Sequence, residues 1–253
     1  MRERRRELVT GVLSPTLSNI YISDIPTPPP NVQLETYADD ISTPSSCQHM
    51  KTAQDRIQPY LNDIFTWIKQ NDLRLNPDKS TSTLFAPDPA EYNTTLNLTI
   101  NNTLIPTIRN PKILGLTLDT KLNFKEHTKL TKAKADKSIN ILKTLTTTKW
   151  GKQKETILAT YKALTRPIIE YASTIWSPIV KHTNIAKLQT TQNTALCIAT
   201  GCTADTNTNH IHQETKILPL PQHLKLHASQ LRQKAKLPSH PLNPLLHQAE
   251  PLR

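Results

Sequence analysis

Two adjacent carboxylates, Asp39 and Asp40, lie at the centre of a stretch of apolar and β-favouring residues. Such residues on both sides of an acidic pair predict two short antiparallel strands joined by a tight turn. A rigid hairpin tip can hold carboxylate oxygens, the ligands that Mg²⁺ prefers, against two divalent cations. Asp is also common in ordinary turns, so by itself the pair fits a plain hairpin as well.

Lysine side chains form a second group with a recognisable chemistry. Residues 121–170 contain twelve Lys or Arg and four Asp or Glu, and the whole chain has a formal net charge of +11. A basic excess favours a polyanionic partner, and lysines along a helix can contact duplex phosphates without reading bases. A lysine-rich face can equally be solvated surface. The lysines in question are Lys125, Lys129, Lys132 and Lys134.

Other features exclude several classes of protein. Cys47, Cys197 and Cys202 are unevenly spaced, which predicts neither a disulfide framework nor a zinc site. The histidines beyond residue 203 lack tight ligand spacing, so we predict no metal site there. The charged N-terminus has no apolar signal core after it, and no run is long enough to cross a bilayer. We therefore expect an intracellular protein, nuclear or cytoplasmic, that is neither secreted nor in a membrane.

The elements that must position the acidic pair form a mixed α+β pattern. Ser14 is a favourable N-cap and Pro15 a favoured first helical residue, which predicts a helix over 14–24. A hairpin over 31–43 follows, and apolar residues at three- and four-residue steps predict a core-facing helix over 49–70, with Trp67 off the apolar stripe. Strands are predicted near 81–86 and 113–118.

The second half of the chain is predicted to be mainly helical. Apolar periodicity indicates helices near 125–147, 152–180 and 184–200. Beyond residue 203 the sequence is rich in Pro, His and Leu without a clear period.

Five segments, taken in order, resemble the reverse transcriptase of non-LTR, jockey-type retrotransposons. Tyr37-Ala38-Asp39-Asp40 matches the catalytic hairpin of that family. Each segment alone is a weak signal, but five in the family's order are strong. The segments are Gly11 to Ile25, Tyr37 to Asp40, Leu73 to Ser80, Leu114 to Asp119 and Tyr161 to Trp176.

The resemblance implies an α+β fold with three parts. Residues 1–110 would form a partial polymerase palm, an antiparallel sheet backed by two helices. Residues 111–202 would form the palm–thumb connection and a mainly helical thumb. Residues 203–253 would be a C-terminal tail rich in Pro and His.

The resemblance also implies RNA-directed DNA polymerase activity on an RNA template and a DNA primer, with dNTPs as substrates. Nucleotidyl transfer would use two Mg²⁺ ions held by Asp39 and Asp40. Lys79 would assist the leaving pyrophosphate. The residues implied to contact nucleotide, template or primer are Tyr37, Ala38, Gly11, Ser14 and Pro15, and the basic helix would contact the RNA–DNA hybrid.

Departures from the family pattern limit this interpretation. Val9-Thr10 stand where the family has Gln-Gly, and Ser18 stands where it has Phe. Nothing before Gly11 resembles the fingers or the strand that carries the family's first catalytic Asp, and no endonuclease is recognisable. We therefore expect weak Mg²⁺ binding and no polymerase activity from this chain alone. One alternative hypothesis is a non-catalytic, basic nucleic-acid-binding remnant of such an element, and another is an unstable translated fragment with no activity of its own.

Overall fold

The computed structural model of the protein describes residues 14–76, 79–147, 153–203 and 205–244. These residues divide into two units, one up to Arg109 and one from Asn110 onward. None of the helices in these ranges is both long enough and apolar enough to cross a membrane.

The first unit combines two helices with two small hairpins. In chain order its elements are α1 (Ser14–Ile22), β1 (Glu35–Tyr37), β2 (Asp40–Ser42), α2 (Met50–Gln70), a 3₁₀ helix (Pro89–Asn93), β3 (Thr99–Ile100) and β4 (Thr103–Leu104). β1 pairs with β2 and β3 with β4, both antiparallel.

Helix α2 supplies the main core of the first unit, as the apolar periodicity predicted. Its buried side chains recur at helical spacing, and they are Tyr60, Ile64, Trp67 and Ile68. The prediction that Trp67 lies off the apolar stripe was wrong. The buried face of α2 includes the aromatic residues Tyr60 and Trp67, whereas the prediction placed the stripe from the aliphatic residues and Phe65. Tyr60 also donates a hydrogen bond from its hydroxyl to the carbonyl of Pro26 at 2.7 Å, which connects α2 to the proline-rich segment after α1.

Helix α1 does not use its apolar face as core. Leu17, Ile20 and Tyr21 expose 50%, 64% and 46% of their surface, respectively. The hydroxyl of Tyr21 donates to the carbonyl of Asn71, just beyond α2. The prediction that α1 backs a sheet is therefore corrected: this helix is joined to the end of α2 by a hydrogen bond and leaves its apolar residues largely in solvent.

The predicted single antiparallel sheet is not formed. The described strands make three separate two-stranded hairpins. Segment 81–86 contributes one isolated bridge, between Ser82 and Thr107. Segment 113–118 is not one strand, because Leu114 (φ +46°) and Gly115 (φ +83°) turn the chain back on itself. Two successive left-handed residues are the signature of a tight hairpin turn, which ends a strand instead of continuing it.

The second unit is helical apart from that hairpin. Its elements are β5 (Lys112–Ile113), β6 (Leu116–Thr117), α3 (Lys125–Thr147), α4 (Lys154–Thr160), a π-helical turn (Tyr161–Thr165), α5 (Arg166–Glu170), α6 (Ser173–Trp176), α7 (His182–Thr200), α8 (Thr208–Thr215) and α9 (Leu220–Ala235).

The predicted continuous helix over 152–180 is interrupted. After the π-helical turn, the chain breaks at Ala172, whose φ of +49° is left-handed. Tyr171, next to this break, donates from its hydroxyl to the carbonyl of Leu114 at 2.6 Å, and Trp176 donates from its indole to the carbonyl of Tyr171 at 3.0 Å. The left-handed break at Ala172 is thus stabilised by contacts of Tyr171 with the β5–β6 turn and with Trp176. The periodicity of apolar residues does not report such contacts.

The core of the second unit consists of two apolar clusters. One surrounds Trp176 and Leu188, and the other surrounds Leu142 and Leu196. Helices α8 and α9 lie in the range where the sequence showed no period, and each contributes to one cluster. Ile211 of α8 belongs to the cluster around Leu142, and Leu220 and Leu224 of α9 belong to the cluster around Trp176.

Candidate active site and nucleic-acid interface

The acidic pair lies at the tip of the β1–β2 hairpin. The register pairs Glu35 with Ser42, Thr36 with Ile41 and Tyr37 with Asp40. Ala38 and Asp39 form the two-residue loop, and Ala38 has a φ of +52°. A left-handed first loop residue is compatible with the tight turns that match the twist of paired strands. The sequence-based prediction of two strands meeting at the acidic pair is therefore confirmed.

The base of the hairpin, unlike its tip, is fixed by packing. Val32 is 5% exposed and belongs to the same apolar cluster as Tyr60 and Ile64. Val32 also forms a β-bridge with Ser45, and the amide of Gln33 donates to the carbonyl of Pro44 at 2.8 Å. The hairpin is thus fixed at its base by the buried Val32 and the backbone bonds of Gln33, which we call the buried anchor. The tip of the hairpin is left exposed.

At the tip, Asp39 and Asp40 are exposed to solvent. Within the described ranges, neither carboxylate forms an ion pair. Neither belongs to a described group of three His, Cys, Asp or Glu side chains whose ligand atoms all lie within 4.8 Å of one another. The hairpin therefore offers two solvent-facing carboxylates to a cation, and a third protein ligand is not among the described neighbours.

The other residues predicted for this site are placed as follows. Tyr37 is 65% exposed beside the acidic pair. Lys79 is exposed, its amide donates to the carbonyl of Asn76 at 3.2 Å, and no described ion pair joins it to Asp39 or Asp40. Pro15 is exposed on α1. Gly11 lies outside the described residues, and of Ser14 only the helical backbone is described.

Comparison with known proteins gives this hairpin a context. Residues 9–118 match the family model described as "Reverse transcriptase (RNA-dependent DNA polymerase)". Residues 9–118 are therefore similar to a reverse transcriptase segment.

The relatives that this chain matches are proteins of transposable elements. It is 26% identical over 250 residues, 96% of its length, to a Drosophila melanogaster protein named "Probable RNA-directed DNA polymerase from transposon BS". It is 32% identical over 124 residues, 46% of its length, to the D. melanogaster "RNA-directed DNA polymerase from mobile element jockey". The jockey protein of Drosophila funebris is 24% identical over 238 residues, 91% of the chain. The predicted resemblance to jockey-type elements is confirmed.

The chain spans a quarter or so of the length of its relatives. The matched regions cover 27%, 13% and 25% of the BS protein and the two jockey proteins, respectively. No solved structure matches the chain at a significant level.

The basic helix of the chain is α3. Because successive residues in an α-helix are rotated by about 100°, Lys125, Lys129 and Lys132 share one face, whereas Lys134 lies about half a turn away. Lys129 and Lys134 are exposed, and Lys129 forms a 3.7 Å ion pair with Glu126. The four lysines predicted as an interface therefore do not form a single row: three lie on one side of the helix and Lys134 lies on the other.

Lys132 has a structural role that the sequence did not indicate. Its ammonium lies 2.5 Å from the carboxylate of Asp136, which also accepts a hydrogen bond from Thr191 at 2.7 Å. Burial alone would raise the pKa of Asp136, but the bonds from Lys132 and Thr191 outweigh burial and lower the pKa. Since its charge is already paired, Lys132 is the least available of the four for phosphate binding.

Sequence reasoning missed one group of side chains that the fold of the second unit brings together. Glu170, His223 and His227 place one ligand atom each within 4.8 Å of one another. This corrects the prediction that the C-terminal histidines form no cluster with ligand spacing. A signal was present, because His223 and His227 are four residues apart in what proves to be a helix, but no sequence pattern indicated that Glu170 lies beside them.

Proposed function

We propose that this chain provides the metal-binding hairpin of an RNA-directed DNA polymerase. The observation that carries the proposal is the Tyr37-Ala38-Asp39-Asp40 turn, exposed on a buried anchor inside the segment that matches the family. Asp39 and Asp40 would hold two Mg²⁺ ions, which would supply activation of a primer 3′-hydroxyl and charge stabilisation of the departing pyrophosphate. Asp39 is proposed as the main shared ligand and Asp40 as a secondary one.

Other residues are proposed to serve the same reaction. Tyr37 and Ala38 would line the primer end, next to the metal ligands. Lys79 would neutralise or protonate the leaving pyrophosphate, which its exposure permits. The proposed contacts to template and incoming dNTP are Gly11, Ser14 and Pro15.

The two units suit the proposed division into palm and thumb. The palm would comprise residues 1–110, and residues 111–202 would form the palm–thumb connection and the thumb. Helices α8 and α9 pack into the same core as α7, so within 203–253 we propose that at least residues 208–235 extend the thumb, with the remainder as a Pro/His-rich tail.

Metal binding at the hairpin can be tested with Fe²⁺ as a probe for the Mg²⁺ site. With ascorbate and peroxide, bound Fe²⁺ generates radicals that cut the nearby backbone. We expect cleavage of the full chain around residues 39–41, suppressed by millimolar Mg²⁺ and by Asp39→Asn/Asp40→Asn. Asp55→Asn, an exposed carboxylate on α2, is the matched control. Absence of hairpin cleavage at millimolar Fe²⁺ would contradict the proposal.

We further propose that this chain alone does not extend a primer. Two exposed carboxylates offer less negative charge than two divalent ions require, and misplaced ions lower the rate by orders of magnitude. The test is dNTP incorporation on an RNA template with a DNA primer and Mg²⁺, with Asp39→Asn as the reference for background. Incorporation above that background would show an active enzyme and overturn the inactivity.

A second candidate function, nucleic-acid binding without catalysis, is favoured by the exposed lysines of α3. Each phosphate contact contributes about 0.9 to the slope of log affinity against log salt for duplex DNA. For an RNA–DNA hybrid we expect Lys129→Gln/Lys134→Gln to weaken binding several-fold and lower the slope by about 2. The control, Lys51→Gln/Lys69→Gln on α2, removes the same charge elsewhere. Equal effects of the two pairs would assign the binding to net charge alone.

A further inference from the structure

The second unit contains a cluster of metal-ligand side chains that is separate from the acidic hairpin. Glu170 ends helix α5, and His223 and His227 lie four residues apart on α9. Their ligand atoms all lie within 4.8 Å of one another, and this is the one such three-residue group among the described residues. The side chains of His223 and Glu170 expose 11% and 22% of their surface, respectively, so they are sheltered but open to small ions.

The packing of the unit fixes these three positions. Ile169, next to Glu170, and Leu224, next to His223, are fully or almost fully buried in the same apolar cluster. The two imidazole rings face each other, with centroids 4.1 Å apart and planes inclined by 58°. The backbone on both sides of the cluster is therefore held by core residues, and only side-chain rotations are left to adjust.

The ring of His223 already contacts both neighbours in the cluster. Its Nε2 lies 2.6 Å from Glu170 Oε1, and its Nδ1 lies 2.9 Å from a guanidinium nitrogen of Arg166. A ring protonated at Nε2 can therefore donate to Glu170 while its Nδ1 accepts from Arg166. The Nε2 proton occupies the position between His223 and Glu170 where a metal ion would bind.

We infer that Glu170, His223 and His227 form a binding site for a Zn²⁺-class transition metal. A cation between His223 and Glu170 would take a lone pair from each, in place of the proton on Nε2. Arg166 then keeps the contact that its Nε already makes with the Glu170 carboxylate. A basic side chain bonded to a ligating carboxylate is a common way of orienting that ligand.

The ligand set selects the class of metal. Two imidazole nitrogens and one carboxylate oxygen suit Zn²⁺ and its transition-metal neighbours, whereas Mg²⁺ requires oxygen ligands. Ligands of a tetrahedral zinc ion lie roughly 3.3 Å apart for bonds of about 2.0–2.1 Å. The three ligand atoms lie within 4.8 Å of one another, so we expect side-chain rotations to bring them to this spacing and water to complete the coordination. The bound ion would clamp α9 to α5 and so stabilise the helical unit.

The test is metal titration of the full chain after chelator treatment. We expect one equivalent of Zn²⁺ to bind, to raise the melting temperature, and to displace Co²⁺ that shows the intense visible absorption of tetrahedral coordination. His227→Gln and Glu170→Gln should each lower Zn²⁺ affinity by about 10- to 100-fold or more. His210→Gln, an exposed histidine on α8, is the matched control and should bind like the parent chain.

Further variants locate the ion. Asp39→Asn/Asp40→Asn and Cys197→Ser/Cys202→Ser should both retain Zn²⁺ binding, because neither pair belongs to the cluster. Loss of binding in the serine variant, with full binding in His227→Gln, would assign the zinc to thiols and overturn the inference. Unchanged affinity in both His227→Gln and Glu170→Gln would overturn it as well. Circular dichroism of each variant separates lost binding from lost folding.

Discussion

The acidic hairpin and the helices around Trp176 are held in place in opposite ways. In the hairpin, Tyr37 is 65% exposed and both carboxylates face solvent on strands of three residues. Around Trp176, which is fully buried, ten core residues pack together; they come from five helices, the β5–β6 hairpin with its following loop, and the loop between α6 and α7. The side chains proposed for chemistry at the hairpin contribute little packing, whereas the side chains around Trp176 contribute mainly packing. Stability and Mg²⁺ binding at the hairpin should therefore respond to different substitutions.

The largest expected effect is that of Trp176→Ala. Truncating a fully buried indole removes its packing and its hydrogen bond to Tyr171, and should lower the free energy of unfolding by about 3–5 kcal/mol. Urea denaturation, with hydrogen exchange to assign the loss to α3–α9, measures this. The same truncation in the other region, Tyr37→Ala, should change stability by no more than about 0.5 kcal/mol. Similar losses of unfolding free energy from both variants would show that the two regions contribute equally to stability, contrary to this expectation.

A smaller effect is expected from Gly115→Ala in the β5–β6 turn. The left-handed backbone disfavours a side chain by about 1–2 kcal/mol, and the new Cβ would lie 3.2 Å from the Tyr171 ring. Gly201→Ala is the matched control, because Gly201 is also left-handed but has nothing within 4 Å of the added Cβ. The difference between the stability losses of the two variants measures the cost of the new Cβ contact with the Tyr171 ring. Equal losses of unfolding free energy in the two variants would show that the Tyr171 ring moves aside at no cost in stability.

The packed region should also make stability depend on pH through His127. Burial, and then the positive charge of Lys134, lower the pKa of His127 below its usual value of 6.5. As the pH falls below 6.5 the unfolded chain takes up a proton that the folded chain resists, so stability falls, by at most about 1.4 kcal/mol per pH unit. His127→Gln should flatten this dependence between pH 7.5 and 5.5 in urea titrations, and His210→Gln should not. Identical slopes for the two variants would contradict the assignment.

The smallest expected effect on stability is that of Asp39→Asn. Its carboxylate is exposed and forms no ion pair among the described residues, so the free energy of unfolding should change by less than about 0.5 kcal/mol. The same variant should nevertheless lose Fe²⁺-mediated cleavage at the hairpin. A destabilisation above 1 kcal/mol, measured by urea denaturation, would show that Asp39 has a structural role.

Sequence patterns predicted best where one local rule governs the structure. The paired strands beside Asp39 and Asp40, helix α2 and the start of α3 all follow from residue type and period. The prediction of one strand over 113–118 failed because it considered only apolar residues and gave no weight to Gly115 as a turn residue. The prediction of one helix over 152–180 failed because the break at Ala172 is held by contacts to residues far away in sequence.

The sequence by itself determined the resemblance to jockey-type reverse transcriptases, the acidic turn and the basic character of α3, because each depends on residue identity over a short span. Only the tertiary structure brought Thr191, from another helix, to the Asp136 carboxylate that pairs with Lys132. Only the tertiary structure placed Glu170 beside His223 and His227, across more than fifty residues of chain. Packing of Ile169 and Leu224 into one core creates that proximity, and core packing between distant segments has no local signature in a sequence.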